Sequence, residues 1–259
     1  MTSFDPVTTQ SGLGATHSGQ SRSGSPTVSV VATTPETAVA DMGRATDLAG
    51  ISEFLSPDIK TFLKVNISWQ HWYPGCSTTP WQIEGVAKAL EDLGHNDLVA
   101  AHNGTVVVDS YEGELKNKHK AAQDRVGLPD IHLDSEPNGW VDYKPKADML
   151  VLDDIFPEGI QIPESFPGTN IVHLPTMKTH VFTTMTGAMK NAFGGLLHRK
   201  RHWTHSVIHE TLTDLLAIQK EIHPGLFAVM DGTFAGDGPG PRAMRWHIKD
   251  RILASNDQV

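Results

Sequence analysis

Short β-branched runs alternate with amphipathic stretches along most of this chain. Val28–Ala32, Thr61–Ile67, Asp97–Ala101, Ile131–Leu133, Ala147–Leu152, Ile171–Leu174, Leu226–Met230 and Arg251–Ala254 read as strands. Helices are predicted between them. Thr34 and Pro35 open one that runs to about Leu48. Thr79, Pro80 and Gln82 supply a capping box with proline at the first helical position. Ile83, Val86, Leu90 and Leu93 give that helix its apolar stripe, and Gly94 closes it. A polar segment from Tyr111 to about Val126 reads as an exposed helix. His205–Ile222 carries Ile208, Leu212, Leu215 and Ile222 on one side. The Pro-rich stretch 157–168 and Gly232–Pro241 read as loops. Strands alternating with helices predict an α/β fold. Its sheet is mostly parallel, with Val65, Leu150, Val172 and Val229 on interior strands and helices on both faces. Ligands then bind at the carboxyl ends of strands, where Lys64/Asn66, Asp153/Asp154, Lys178/His180 and Asp231 fall.

The densest chemistry lies in PTMKTHVFTTMTGAMKNAFGG, Pro175–Gly195. If Thr176–His180 is extended, Lys178 and His180 point the same way. Thr183 or Thr184 caps the helix that follows. On it Gly187, Lys190, Asn191 and Gly194 share a face, while Met185, Met189 and Ala192 form an apolar one. Two glycines on a polar face mean either close approach of a ligand or close helix–sheet packing, since each weakens the helix by roughly 1 kcal/mol. Lysines neutralise a carboxylate or phosphate, histidine moves protons near neutrality, and Asn191 can hold an oxyanion. The expected site is one cleft. Lys178, His180, Lys190 and Asp231 are its catalytic candidates, and Lys64, Asn66, Asn191, Gly187 and Gly194 its substrate-binding ones. Asp231 does not suit simple anion binding, which favours an enzyme over a non-catalytic binder.

Composition narrows the classes. The chain has 259 residues, a formal charge of −9 and one cysteine. The acidic balance disfavours nucleic acid and anionic membranes as partners. A lone cysteine excludes a disulfide framework and a cysteine-ligated iron–sulfur cluster within the chain. No other cofactor is expected. No signal peptide or apolar run of about 20 residues is found, so a cytoplasmic protein is expected. The Asn66 and Asn103 N-x-Ser/Thr triplets are then read as chance. Residues 1–26 are Ser/Thr/Gly-rich and expected to be a disordered tail ahead of one α/β domain at 27–259.

Three other groups carry weaker signals. His198, His202, His205 and His209 lie in HRKRHWTHSVIH, the last three at helical spacing. Neighbouring Arg199, Lys200 and Arg201 argue against a metal, leaving a solvated basic turn or an anion-binding lip. Cys76 sits before a helix N-terminus without a placed base and reads as a bystander. Trp69, Trp72, Tyr73 and Trp81 line either a pocket or the sheet edge. Gly236–Pro241 is no phosphate-binding fingerprint and reads as a tight loop beside the site.

Several blocks together resemble the family called domain of unknown function 362. These are Lys64-Val65-Asn66, Thr79-Pro80, Leu174–His180, Gly187–Gly194, and Asp231-Gly232 with Gly238-Pro239. The resemblance spans about residues 28–259 and implies a Rossmann-like fold without a settled activity. Many relatives carry ferredoxin-like cysteine segments, which this chain lacks. Relatives usually continue past the block matching Ile252–Asp257 into another helix, so the chain is expected to lack the family's last elements. The resulting expectation is an uncharacterised protein acting on, or binding, a small anionic molecule.

Overall fold

The computed structural model describes residues 26–105, 107–134, 139–197 and 199–259. The expected tail therefore lies, Pro26 apart, outside the described residues, as does His198. In chain order the elements begin with β1 (Val28–Ala32), α1 (Ala38–Leu48), the single turn α2 (Ile51–Phe54), β2 (Thr61–Val65), α3 (Pro80–Asp92) and β3 (Leu98–His102). Next come α4 (Ser110–Lys116), α5 (His119–Val126), β4 (Asp130–His132), β5 (Trp140–Tyr143), the turn α6 (Leu152–Ile155) and β6 (Ile160–Pro163). The remainder is β7 (Asn170–Leu174), β8 (Thr176–His180), β9 (Thr184–Met185), α7 (Gly187–Leu196), a 3-10 stretch at Arg199–Val207, α8 (Ile208–Ile222), β10 (Leu226–Asp237) and β11 (Arg245–Ser255).

The main sheet runs β1-β11-β10-β7-β2-β3-β4, with β8 and β9 branching from β10. From β10 to β4 every pairing is parallel, while β1, β11 and β10 pair antiparallel. The sheet is thus mixed and mostly parallel. One face packs Leu63, Val65, Val172, Phe227 and Val229 against α1, α3 and α5. The other packs Phe62, Val99 and Ile171 against α7 and α8. Burial on both faces is what continuous β-branched runs predict for parallel strands.

Gln82, in the first turn of α3, holds the sheet where β7 gives way to β8 at Pro175. Its amide donates to Pro175 O (3.0 Å) and Val229 O (2.8 Å). Those bonds span the gap opened at a residue that has no N–H of its own to donate.

Four expectations are corrected. Ala147–Leu152 is not a strand. The amides of Leu150, Val151 and Leu152 instead donate to the buried Asp214 carboxylate on α8, at 2.8, 3.0 and 3.1 Å, and Leu150 is exposed. Asp153 and Asp154 consequently sit on α6, away from any strand end. The stretch 157–168 contains β6, paired antiparallel with β5, with Ile160 and Ile162 buried. Gly232–Asp237 continues β10 against β11 through an irregularity between Gly232 and Phe234, so glycine here marks a bulge and not a turn. The helix expected from His205 begins at Ile208, after the 3-10 stretch.

Leu150→Ser tests the first correction. An exposed side chain predicts a stability change within about 0.5 kcal/mol. Truncating an interior-strand leucine would remove roughly 2–5 kcal/mol. Urea midpoints separate the two.

Candidate functional site

A cavity of about 550 Å³ opens at the carboxyl ends of β2, β3, β4 and β8. Lys64, Asn66, His180, Lys190, Asn191 and Gly194 line it, as the strand ends and the α7 face predict. Gly187, Lys178 and Asp231 do not belong to its lining.

Lys64 lies on β2 and is buried to 3% exposure. Its ammonium donates to Val65 O at 2.5 Å. Its stem runs beside α7, where a Cβ on Gly195 would come within 2.3 Å of Lys64 Cε. The small residues of this helix therefore admit a lysine stem from the sheet. Gly187 has φ +59°, which favours glycine at the start of α7. Burial, helped by the Arg201 charge, pushes Lys64 down to about 7. Lys190 on α7 stands over the Phe193 ring at 4.0 Å. Burial, then Lys178 and Arg201, bring it to about 7 as well. Among the described residues no carboxylate lies within ion-pair distance of Lys64, Lys178 or Lys190.

Asn191 is buried and donates to Lys64 O at 2.8 Å, tying α7 to β2. His180 accepts the Phe182 amide on Nδ1 at 3.1 Å. Burial and the nearby Lys190, Lys178 and His205 lower it to about 4, so its ring is neutral at pH 7.

Lys178 acts one layer behind the wall. Its ammonium donates to Ser68 Oγ at 2.7 Å and to Cys76 O. Ser68 in turn donates to Asn66 Oδ1 at 3.0 Å, and Asn66 donates to Cys76 O at 3.0 Å. Burial lowers Lys178 to about 8. Asp231 is further away, in mid-strand on β10. It accepts Thr79 Oγ1 at 2.5 Å and the Thr233 amide at 2.7 Å. Burial raises its carboxyl, and these bonds oppose the shift. Asp231 thus anchors the start of α3 and meets neither Lys178 nor His180 in the hydrogen bonds it makes.

Other lining groups arrive from loops that strand periodicity does not reach. Arg201 donates to Gly104 O, and Arg242 donates to Ser68 O at 2.9 Å. Asn103 follows β3 and donates to Gly194 O at 2.6 Å. Asp134 follows β4, and its charge opposes the lowering that burial imposes on Arg201. The basic turn signalled Arg201, and the glycine–proline loop signalled Pro241, whereas nothing in the sequence reading marked Arg242. His202 and His205 line the cavity on the 3-10 stretch, while His209 is an exposed residue of α8 outside the lining. None of the aromatic cluster lines it. Trp69 packs on His71 and Tyr73, Trp81 on Phe234, and Trp72 is exposed. Cys76 is buried with its thiol pushed up by burial and directed at Pro241 O, 3.1 Å away, which fits a bystander.

No helix among the described residues is long and apolar enough to cross a membrane. The family model described as "Domain of unknown function (DUF362)" matches residues 61–259. A thylakoid-associated protein of Synechocystis sp., sll1697, is 23% identical over 210 residues, which cover 75% of this chain and 58% of that protein. The chain thus spans little more than half the length of that curated relative. No solved structure matches.

Proposed function

This chain belongs to the family described as domain of unknown function 362, and we propose that it binds a small anionic molecule, a carboxylate or a phosphate, in the cavity above. The carrying observation is that Lys64, Lys190 and Arg201 surround one cavity whose described lining holds a single carboxylate, Asp134. With Arg242, four basic side chains against one acid leave a positive potential in a partly dehydrated space, and an anion relieves it. Arg201 and Arg242 add forked donors suited to carboxylate or phosphate oxygens. We read the fold as Rossmann-like on the same basis: parallel strands with helices on both faces and a ligand at the carboxyl edge.

A thermal-shift series with inorganic phosphate, phosphate monoesters and di- and tricarboxylates tests this. A saturable rise is expected with one class, reaching about 2.7 kcal/mol at a hundredfold excess over Kd. Lys190→Met should remove that rise. No shift with any class would end the proposal.

A second reading, catalysis, is favoured by the two amines drawn to about 7. An amine partly neutral at pH 7 can take a proton from a bound acid. Lys190 and His180 are then the groups that touch substrate, with Lys178 and Asp231 shaping the wall and the sheet. Exchange of solvent deuterium into a bound ligand supports catalysis. Tight binding with neither exchange nor turnover leaves the binder.

Binding is also expected to be proton-coupled. An anion beside Lys64 and Lys190 favours their charged forms and raises both values. At pH 8 the free site is largely deprotonated at these amines, so binding takes up about one proton or more. At pH 6 both are already charged and uptake vanishes. Affinity therefore falls as pH rises above 7. Calorimetry in two buffers of different ionisation enthalpy reads the proton count directly.

A further inference from the structure

Behind the cavity wall, β3 and β4 present a second buried polar group. His102 and His132 are register partners, and Asp130 precedes His132 by two residues on the same side of β4. Glu114 reaches them from α4. One ligand atom each of His102, Glu114 and Asp130 lies within 4.8 Å of the others. His102 Nε2 is 3.6 Å from Glu114 Oε1. His132 Nε2 is 3.2 Å from Glu114 Oε2 and 3.6 Å from Asp130 Oδ2. His102 is fully buried, and Glu114 and His132 are each 5% exposed.

The surrounding groups leave these atoms facing inward. Lys120 donates to Asp130 Oδ1 at 3.2 Å, so Oδ2 is the oxygen turned to the histidines. Ser110 Oγ lies 2.8 Å from His132 Nδ1 and fixes that ring from its far side. Gln123 Nε2 lies 2.8 Å from His102 Nε2 in a hydrogen bond, so an ion taking that nitrogen must displace the Gln123 amide. Glu114 Oε1 is buried without a hydrogen-bond partner. A dehydrated carboxylate oxygen with no donor is unfavourable unless a cation takes it.

The spacing names the kind of cation. Donor atoms at a tetrahedral ion with bonds of ~2.0–2.2 Å are ~3.3–3.6 Å apart. Three of the distances here are 3.2, 3.6 and 3.6 Å, Glu114 offering Oε2 to His132 and Oε1 to His102. Imidazole with carboxylate is a borderline donor set, suited to zinc and its first-row neighbours. The charges agree: Glu114, Asp130 and Asp124 carry three negatives against Lys120, which Asp124 also contacts at 3.4 Å. A divalent ion neutralises the remainder.

We propose that His102, Glu114 and Asp130 hold a divalent zinc-like ion, with His132 as fourth donor and Ser110 orienting its ring. The ion ties β3 and β4 to α4. It also stiffens the strand ends that carry Asn103 and Asp134 into the cavity wall.

The full chain, stripped with a chelator and titrated with Zn²⁺, should retain one equivalent through gel filtration and gain melting temperature. Co²⁺ should give the visible absorption of a four-coordinate ion. Glu114→Gln and His102→Gln should each weaken Zn²⁺ binding by more than the roughly 10–100-fold typical of an outer-shell partner. A variant lacking His202, His205 and His209 together should keep the equivalent. Zinc X-ray absorption on the wild type needs no variant, and should show a nitrogen–oxygen shell containing imidazole. No retained metal would overturn the proposal. So would retention in Glu114→Gln/His102→Gln, an all-imidazole shell, or loss of the metal with the surface histidines.

Discussion

Lys64→Met is expected to stabilise the protein and abolish anion binding. The ammonium is 3% exposed and its one hydrogen bond is to the neighbouring Val65 carbonyl. Burial brings it from 10.5 to about 7. A lysine held below its unfolded value disfavours the fold, because the unfolded chain binds the proton more tightly. The penalty is full below pH 7. It declines as pH rises from 7 to 10.5, where the native chain has lost the proton and the unfolded chain still holds it. Methionine keeps the unbranched stem that passes Gly195 and removes the charge. At pH 6 the expected gain is about 3 kcal/mol, or roughly 6–12 °C. It should shrink steadily toward pH 10. Anion affinity should fall by about 2–5 kcal/mol, since Lys64 is the most deeply desolvated cation of the cavity. Thermal melts at pH 6, 8 and 10, with calorimetry on an anion found by the screen, separate the two effects. A lower melting temperature at pH 6, or unchanged affinity, would refute the assignment of Lys64 as a strained ligand-binding cation.

The placement of the cavity's side chains was legible in outline. Lys64 at a strand end, and Lys190 and Asn191 on a glycine-bearing helix face, followed from periods of 2 and 3.6. Gln82 and Thr79 at the start of α3 followed from capping chemistry. Depth was not legible. Period two gives Lys178 and His180 one direction, yet His180 reaches the cavity while Lys178 is roofed by Ser68 and Cys76. What roofs a side chain comes from another part of the chain. The same limit explains Leu150: an apolar run has strand character alone, but Asp214, sixty-four residues on, takes its amides. Arg201 and Arg242 enter the cavity from segments with no period, so the basic turn flagged Arg201, nothing flagged Arg242, and only tertiary packing places them.

Asp231 shows the limit most sharply, and Asp231→Asn is the second expected result. Glycines after Asp231 read as a turn, which would set it at a strand's carboxyl end beside Lys178 and His180. Pairing with β11 instead carries β10 on to Asp237 and leaves Asp231 buried in mid-strand. Its two oxygens each accept one donor, Thr79 Oγ1 and the Thr233 amide. Asparagine keeps the shape but turns an NH₂ toward one of them. The Thr79 hydroxyl can rotate, whereas the Thr233 amide cannot, so the asparagine oxygen should take the amide and Thr79 should lose its acceptor. A buried bond lost in this way is worth about 2 kcal/mol, or roughly 4–8 °C in melting temperature. The Asp231 carboxyl is raised by burial, so protonation costs the native state less than it would a solvated acid. A raised carboxyl makes the native state bind the proton more tightly than the unfolded chain, so the wild type gains stability as pH falls and the gap between wild type and Asn should widen as pH falls through the raised value. Because Asp231 lies outside the cavity lining, anion affinity should stay within about threefold. Loss of turnover or of binding in a variant that melts normally would return Asp231 to the site as an acid–base group. A melting loss with affinity kept makes it the anchor that holds α3 against β10.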